Sequence, residues 1–257
     1  YIAHRKARRR TPGEQPVLQS TFTDLIRAHQ RFLLTGHENP DGDCLGAEVA
    51  LFHLLRALGK DVAIVNPDPI GKGHDFLAHI AADRRRRVAE LQRERPAHRL
   101  RERMAPPRAA GRLERALRRG GPEGPLRMLC EVKRASPSKG MLKADVDPVA
   151  QAKLYEANGA AAISLVTEPD HFLGDLAWMD RVRPEVSLPL LLKDFVVDSY
   201  QILDAAARGA DAVLLLAALL SETETTRFLT EARLLGLDAL VEVHDAEELY
   251  RSLRAGA

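Results

Sequence analysis

At 257 residues the chain is long enough for one barrel or two smaller domains, and its 45% apolar and 29% charged content is that of a soluble protein with a sizeable core. A formal net charge of +2 gives no global attraction to nucleic acid or membrane, and no apolar run approaches the roughly 18 residues of a membrane span. The two cysteines, Cys44 and Cys130, lie far apart, which argues against a disulfide scaffold and for a reducing, cytoplasmic setting.

Residues 1–20 are basic, hold Pro12, Gly13 and Pro16, and show no apolar period, so they read as a disordered tail. Residues 21–79 read as a small Rossmann-like α/β unit. Phe22, Leu25 and Ile26 sit at helical spacing, Arg31–Thr35 is strand-like, Ala47–Leu58 is an amphipathic helix closed by Gly59, and Asp61–Asn66 is a second strand. In the loop between the first strand and its helix, His37, Asp41 and Asp43 place one imidazole and two carboxylates together. That donor set suits Mn²⁺ or Mg²⁺, which could activate water for phosphoester hydrolysis. Asn39-Pro40-Asp41-Gly42 is also a strong turn sequence that needs no metal. The stretch Thr35–Pro69 resembles the first motif of the DHH phosphoesterases. That resemblance implies Mn²⁺ at His37, Asp41 and Asp43 and a nucleic-acid or nucleotide substrate for this unit alone. The later DHH motifs do not occur in the sequence, so weak metal binding and no phosphodiesterase activity are expected.

Residues 80–257 read as a third region, opening with the Arg-rich helical stretch Ala81–Arg119, which Pro96, Pro106 and Pro107 interrupt. Its run Arg84–Arg87 reads as a solvated helix face. From Leu126 strand and helix alternate. Strand-like runs are Met128–Lys133, Ala161–Val166, Leu188–Lys193, Ala212–Leu216 and Ala239–Val243. The helical runs that follow are Pro148–Asn158, Leu176–Arg183, Ser199–Arg208, Glu222–Leu235 and Ala246–Leu253. Nearly continuous apolar strands predict a parallel sheet covered by helices. Polar residues stand at the carboxyl ends of several different strands: Glu131 and Lys133, Thr167 and Glu168, Lys193 and Asp194, Glu242 and His244. A barrel gathers such ends around one mouth, whereas a doubly wound sheet concentrates its ligand at one switch point, and no GxGxxG loop is present. The fold class expected is therefore α/β: the first five βα units of a (β/α)₈ TIM barrel, incomplete, with an N-terminal helical extension and the small unit before it.

Lys133, Lys193, Glu131 and Glu242 form the constellation that chemistry favours. Lysines and glutamates at one mouth can exchange protons, and two ammonium groups call for a small anionic ligand. Ion pairs that merely close the barrel end are the alternative.

The segments EVKRASPSKG, AAISLVTEPDHF, LPLLLKDFVVD, GADAVLLL and LDALVEVHDAEEL, in order, resemble the indole-3-glycerol phosphate synthase family of tryptophan biosynthesis. The resemblance implies a carboxy-lyase without cofactor. It closes the indole ring of a carboxyphenylamino-deoxyribulose phosphate with loss of carbon dioxide and water. It also implies that Lys193 is the general acid on the substrate carbonyl, that Lys133 binds the substrate carboxylate, that Glu242 serves the dehydration, and that Glu131 orients the lysines. Ser136, in the loop after the first strand, and Phe172 and Phe195, which enclose the aromatic ring, would bind substrate. Asp175 departs from the serine usual in the family. The family pattern continues beyond Arg254–Ala257 into three further strands that hold the substrate phosphate, so the chain as given is expected to have impaired activity. A metal-dependent phosphoesterase and an inactive fusion fragment are the other readings.

Overall fold

The structure is a computed structural model that describes residues 24–34, 51–65, 73–104, 109–118, 120, 124–137 and 139–257. They fall into two units, one within Tyr1–Lys72 and one within Gly73–Ala257. His37, Asp41 and Asp43 lie outside the described residues. Among the described residues, no helix is long and apolar enough to cross a membrane.

In the first unit, β1 (Arg31–Leu34) and β2 (Asp61–Ile64) pair in parallel, with Phe32 opposite Val62 and Leu34 opposite Ile64. Parallel strands need a crossover, and a helix over 51–57 lies between them in the chain. Leu55 of that helix and Val62 are the buried apolar residues described in this unit.

The second unit opens with α1 (Gly73–Glu94), α2 (Ala97–Arg103) and α3 (Arg112–Leu117). Pro96 ends the first of these runs and stands at the N-cap of the second, where its missing N–H costs nothing. Helix α1 begins earlier than the apolar spacing indicates. Five strands follow: β3 (Leu129–Val132), β6 (Ala162–Val166), β7 (Leu190–Lys193), β8 (Ala212–Leu216) and β9 (Asp238–Glu242). They form one parallel sheet in that order. A two-residue hairpin, β4 (Ala135–Ser136) with β5 (Gly140–Met141), stands in the loop after β3. The helices α4 (Pro148–Ala157), α5 (Ala177–Val182), α6 (Ser199–Ala207), α7 (Glu222–Leu234) and α8 (Ala246–Arg254) each follow one strand of the sheet. Consecutive strands lying side by side, each followed by a helix, are the wall of a partial TIM barrel.

Local chemistry sets the helix starts. Asp147, Asp198 and Asp245 accept from backbone N–H groups of the helices they precede, and Ser221 with Glu224 forms a capping box. Helix ends follow the glycines, as at Gly159, whose φ of 83° is left-handed.

Strand alternation sorts the core into two faces. Val132, Ile163, Leu165, Leu190, Leu192, Val213 and Leu215 point toward the helices and form the main cluster with Trp178, Met179, Ile202 and Phe228. The other face carries Leu129, Ala162, Leu191 and Ala212 at the amino ends of the strands, where Leu113 and Leu117 of α3 pack on them. At the carboxyl ends the same face carries Leu214 and Leu216, packed with Ile80, Phe195, Leu77 and Phe172. The extension thus covers the inner face at both ends, α3 at one and α1 at the other.

Helix α3 is held by a cap from far along the chain. Asp238, the first residue of β9, accepts from Leu113 N at 2.7 Å, Glu114 N at 3.2 Å and also from Gly111 N. A six-residue helix has no independent stability. Asp238→Ala is therefore expected to lower unfolding free energy by about 1–2 kcal/mol, measured by urea titration. A change below a few tenths would show that the cap is idle.

Candidate active site

Register places the constellation on one face of the sheet. Glu131 pairs with Ser164, Val166 with Lys193, and Leu216 with Glu242. Parallel neighbours in register point the same way, and positions two apart share a face. Glu131, Lys193 and Glu242 thus face inward on β3, β7 and β9, and Lys133 lies two residues beyond Glu131.

The side chains meet. Lys193 Nζ donates to Glu131 Oε2 at 2.7 Å, and Lys133 Nζ lies 2.6 Å from Glu131 Oε1. One carboxylate therefore serves both ammonium groups. All three are about three-quarters buried, with side-chain exposures of 25% for Glu131, 23% for Lys133 and 29% for Lys193. Burial pushes the Glu131 carboxyl toward the neutral form, but the charges and hydrogen bonds of Lys193 and Lys133 together outweigh it and hold its pKa below the ordinary carboxylate value.

Glu242 has a different partner. His244 Nε2 lies 3.1 Å from Glu242 Oε1, while His244 Nδ1 lies 3.2 Å from Glu248 Oε2. The His244 hydrogen bond is the chief cause that lowers the Glu242 pKa; burial opposes it, and the Lys193 charge adds to it. Lys193 therefore acts electrostatically on both glutamates. The same bond, against burial and aided by Glu248, raises His244 from 6.5 to about 8. A raised histidine pKa stabilises the fold fully below pH 6.5, and that contribution is lost as pH rises through 8. With His244 a quarter exposed, the loss is expected to be about 1 kcal/mol after allowance for solvent screening. Denaturant midpoints at pH 6 and pH 9 measure it, and His244→Gln is expected to abolish the difference.

The substrate-binding candidates divide. Phe172 and Phe195 lie together, ring centroids 5.9 Å apart at 43°, in the cluster that contains Leu214 and Leu216. Leu216 is the register partner of Glu242, and Phe195 follows Lys193 by two residues, so the aromatic wall flanks the charged cluster. Ser136 is buried in β4, where its Oγ accepts from Lys139 N at 3.2 Å. It thus closes its own turn in the loop after β3.

The loop that carries Phe172 is knit by a residue whose role the sequence left unassigned. Glu168 is 1% exposed, and its carboxylate accepts from the backbone N–H groups of Asp170, His171 and Phe172 at 3.0, 2.7 and 2.8 Å. Gly174 closes that loop so tightly that a Cβ would stand 2.3 Å from the Val166 carbonyl oxygen. The departure at Asp175 keeps a local bonding role, because its Oδ1 accepts from Ala177 N at 2.8 Å ahead of α5.

Arg85, Arg86 and Arg87 are exposed, as a solvated face requires, but Arg84 departs from that reading. It is 3% exposed and forks onto Asp194, with Nε–Oδ1 2.7 Å and Nη2–Oδ2 2.6 Å. A signal for it existed: Ile80, Arg84 and Val88 are spaced i, i+4, i+8, and all three are buried on one stripe of α1. Among the described residues, no group of three or more histidine, cysteine, aspartate or glutamate side chains could hold a metal ion.

The family profile for indole-3-glycerol phosphate synthase matches residues 77–257. Relatives described by that name include one from Sulfurimonas denitrificans, 50% identical over 136 residues that cover 53% of this chain and 52% of the relative. One from Carboxydothermus hydrogenoformans is 42% identical over 186 residues, 71% of this chain and 70% of the relative. One from Lachnoclostridium phytofermentans is 54% identical over 129 residues, 50% of this chain and 48% of the relative. The chain thus spans about half the length of the first and third of these. A solved mandelate oxidase variant with (S)-mandelic acid aligns at 13% identity and a TM-score of 0.40 over 51% of this chain and 47% of that one, too distant to inform the fold. With a profile matched from α1 to the end of α8, and a relative more than two-thirds covered, the chain belongs to the indole-3-glycerol phosphate synthase family.

Proposed function

We propose that the protein carrying this chain converts a carboxyphenylamino-deoxyribulose phosphate to indole-3-glycerol phosphate, with release of carbon dioxide and water. The observation that carries this reading is the convergence of Lys133 and Lys193 on Glu131 beside the Phe172–Phe195 wall.

The chemistry needs what this cluster offers. Ring closure forms a carbon–carbon bond between the aryl carbon bearing the carboxylate and the ketone carbon, and the ketone oxygen must gain a proton as it becomes a hydroxyl. Lys193, its Nζ held at 2.7 Å from Glu131, supplies that proton. Lys133 pairs with the substrate carboxylate until the carbon–carboxylate bond breaks and its electrons restore the aromatic ring. Loss of the hydroxyl as water then needs one proton delivered to the hydroxyl and one withdrawn from the ring methylene carbon beside the nitrogen, so that the second carbon–carbon double bond of the indole forms. Glu242, kept ionised by His244 and Lys193, takes the latter. The aromatic pair encloses the forming indole and excludes water.

Lys193→Ala is expected to lower kcat for indole product, followed by its ultraviolet fluorescence, by at least about 100-fold with an intact fold. Undiminished turnover in that variant would remove the assignment.

A further inference from the structure

We propose that Arg84, on helix α1 of the amino-terminal extension, is a positioning residue for Lys193: its fork on Asp194 fixes the end of β7 from which the Lys193 ammonium group and the Phe195 ring enter the mouth. The inference rests on the reading of Lys193 as the acid–base group, although its test does not require turnover.

Lys193, Asp194 and Phe195 are consecutive, and the middle residue is the most constrained. Asp194 is 2% exposed. Its Oδ1 accepts from Arg84 Nε at 2.7 Å and from Phe195 N at 2.8 Å. Its Oδ2 accepts from Arg84 Nη2 at 2.6 Å and from Thr167 Oγ1 at 3.0 Å. Thr167 N in turn donates to the Lys193 carbonyl at 3.0 Å. The backbone just after the Lys193 Cα is thus tied to α1 and to the end of β6. A lysine side chain has a long flexible stem. Glu131 fixes its far end, and the Arg84–Asp194–Thr167 bracket fixes its near end.

Docking of α1 alone does not explain a buried guanidinium. Ile80 and Val88 of the same stripe dock through apolar contact and are 0% and 2% exposed. An apolar side chain of similar volume at position 84 would serve packing without desolvating an ion pair. The fork instead delivers geometry, two parallel bonds that lock the Asp194 carboxylate plane.

The test is competitive acetylation of the whole protein with limiting acetic anhydride, with Lys193 labelling read by mass spectrometry relative to the more exposed Lys153. The variants are Arg84→Met, Arg84→Lys and, as a destabilised control, Leu100→Ala, whose side chain is buried in the α2 contact with Val88 and Tyr200. The relative labelling of Lys193 is expected to rise about threefold or more in Arg84→Met, the low end of coupling within one bonded network. It is expected to rise less in Arg84→Lys, which keeps the charge and loses the fork, and to stay unchanged in Leu100→Ala. Unchanged labelling in Arg84→Met, or an equal rise in Leu100→Ala, overturns the proposal. Where Arg84→Met does not fold, Arg84→Lys decides, and parental labelling in it overturns the proposal. Loss of turnover in Lys193→Ala with unchanged labelling in the Arg84 variants would sink this inference alone. Full turnover in Lys193→Ala would sink the proposed reaction instead.

Discussion

Glu131→Gln is expected to reduce turnover about 100- to 1000-fold, more than any other conservative change at the mouth. The carboxylate binds two ammonium groups at 2.6 and 2.7 Å, one on each oxygen. A glutamine offers one accepting oxygen, and its amide N–H₂ would face the other ammonium. One lysine must then swing away, and the two positive charges lose the negative charge between them. A stability loss of about 1–3 kcal/mol is expected alongside. The pH dependence separates this from a general loosening. Burial raises the Glu131 pKa, but the two lysines lower it further, so the folded value lies below the ordinary 4.5. A carboxylate with a depressed folded pKa stabilises above its unfolded value and loses that contribution as pH falls through the folded one. The acid limb of stability is therefore expected to be shallower in Glu131→Gln than in the parent. Turnover within about threefold of the parent would show that the lysines do not need the carboxylate.

Asp211→Ala is expected to cost about 3–5 kcal/mol, a large part of the net stability of an ordinary domain. The Asp211 side chain is 0% exposed, and its oxygens accept from Arg112 Nη1 at 2.7 Å, Arg183 Nη1 at 2.8 Å and Leu190 N at 2.9 Å. Removal takes the shared partner from two guanidinium groups and a buried N–H at once. Arg112 belongs to α3, so the same change weakens the helix that covers the amino ends of the strands. Chemical denaturation measures it. A loss under about 1 kcal/mol would mean that water or Arg rearrangement replaces the carboxylate.

The sheet was legible because its strands are mostly apolar runs whose limits are set by glycine and aspartate caps, signals that act within a few residues. The inward set Glu131, Lys133, Lys193 and Glu242 was legible too, since charge at strand ends is costly and the strand period assigns each residue to a face. What the sequence hid is long-range. The Asp211–Arg112 pair and the Asp238 cap on Leu113 join residues about 100 or more apart, and nothing local marks either aspartate. Arg84 stood in a run of four arginines, where composition reads as solvation and only the i, i+4 stripe singles it out.

The central claim is that this charged cluster couples ring closure to decarboxylation. The direct measurement supplies carboxyl-¹³C-labelled substrate and follows ¹³CO₂ and indole product together, in the parent and in Lys193→Ala. Equal yields of carbon dioxide and indole in the parent, with both lost in the variant, are the predicted result. Indole product formed at the parental rate without the Lys193 ammonium group, or formed without labelled carbon dioxide, would contradict the account.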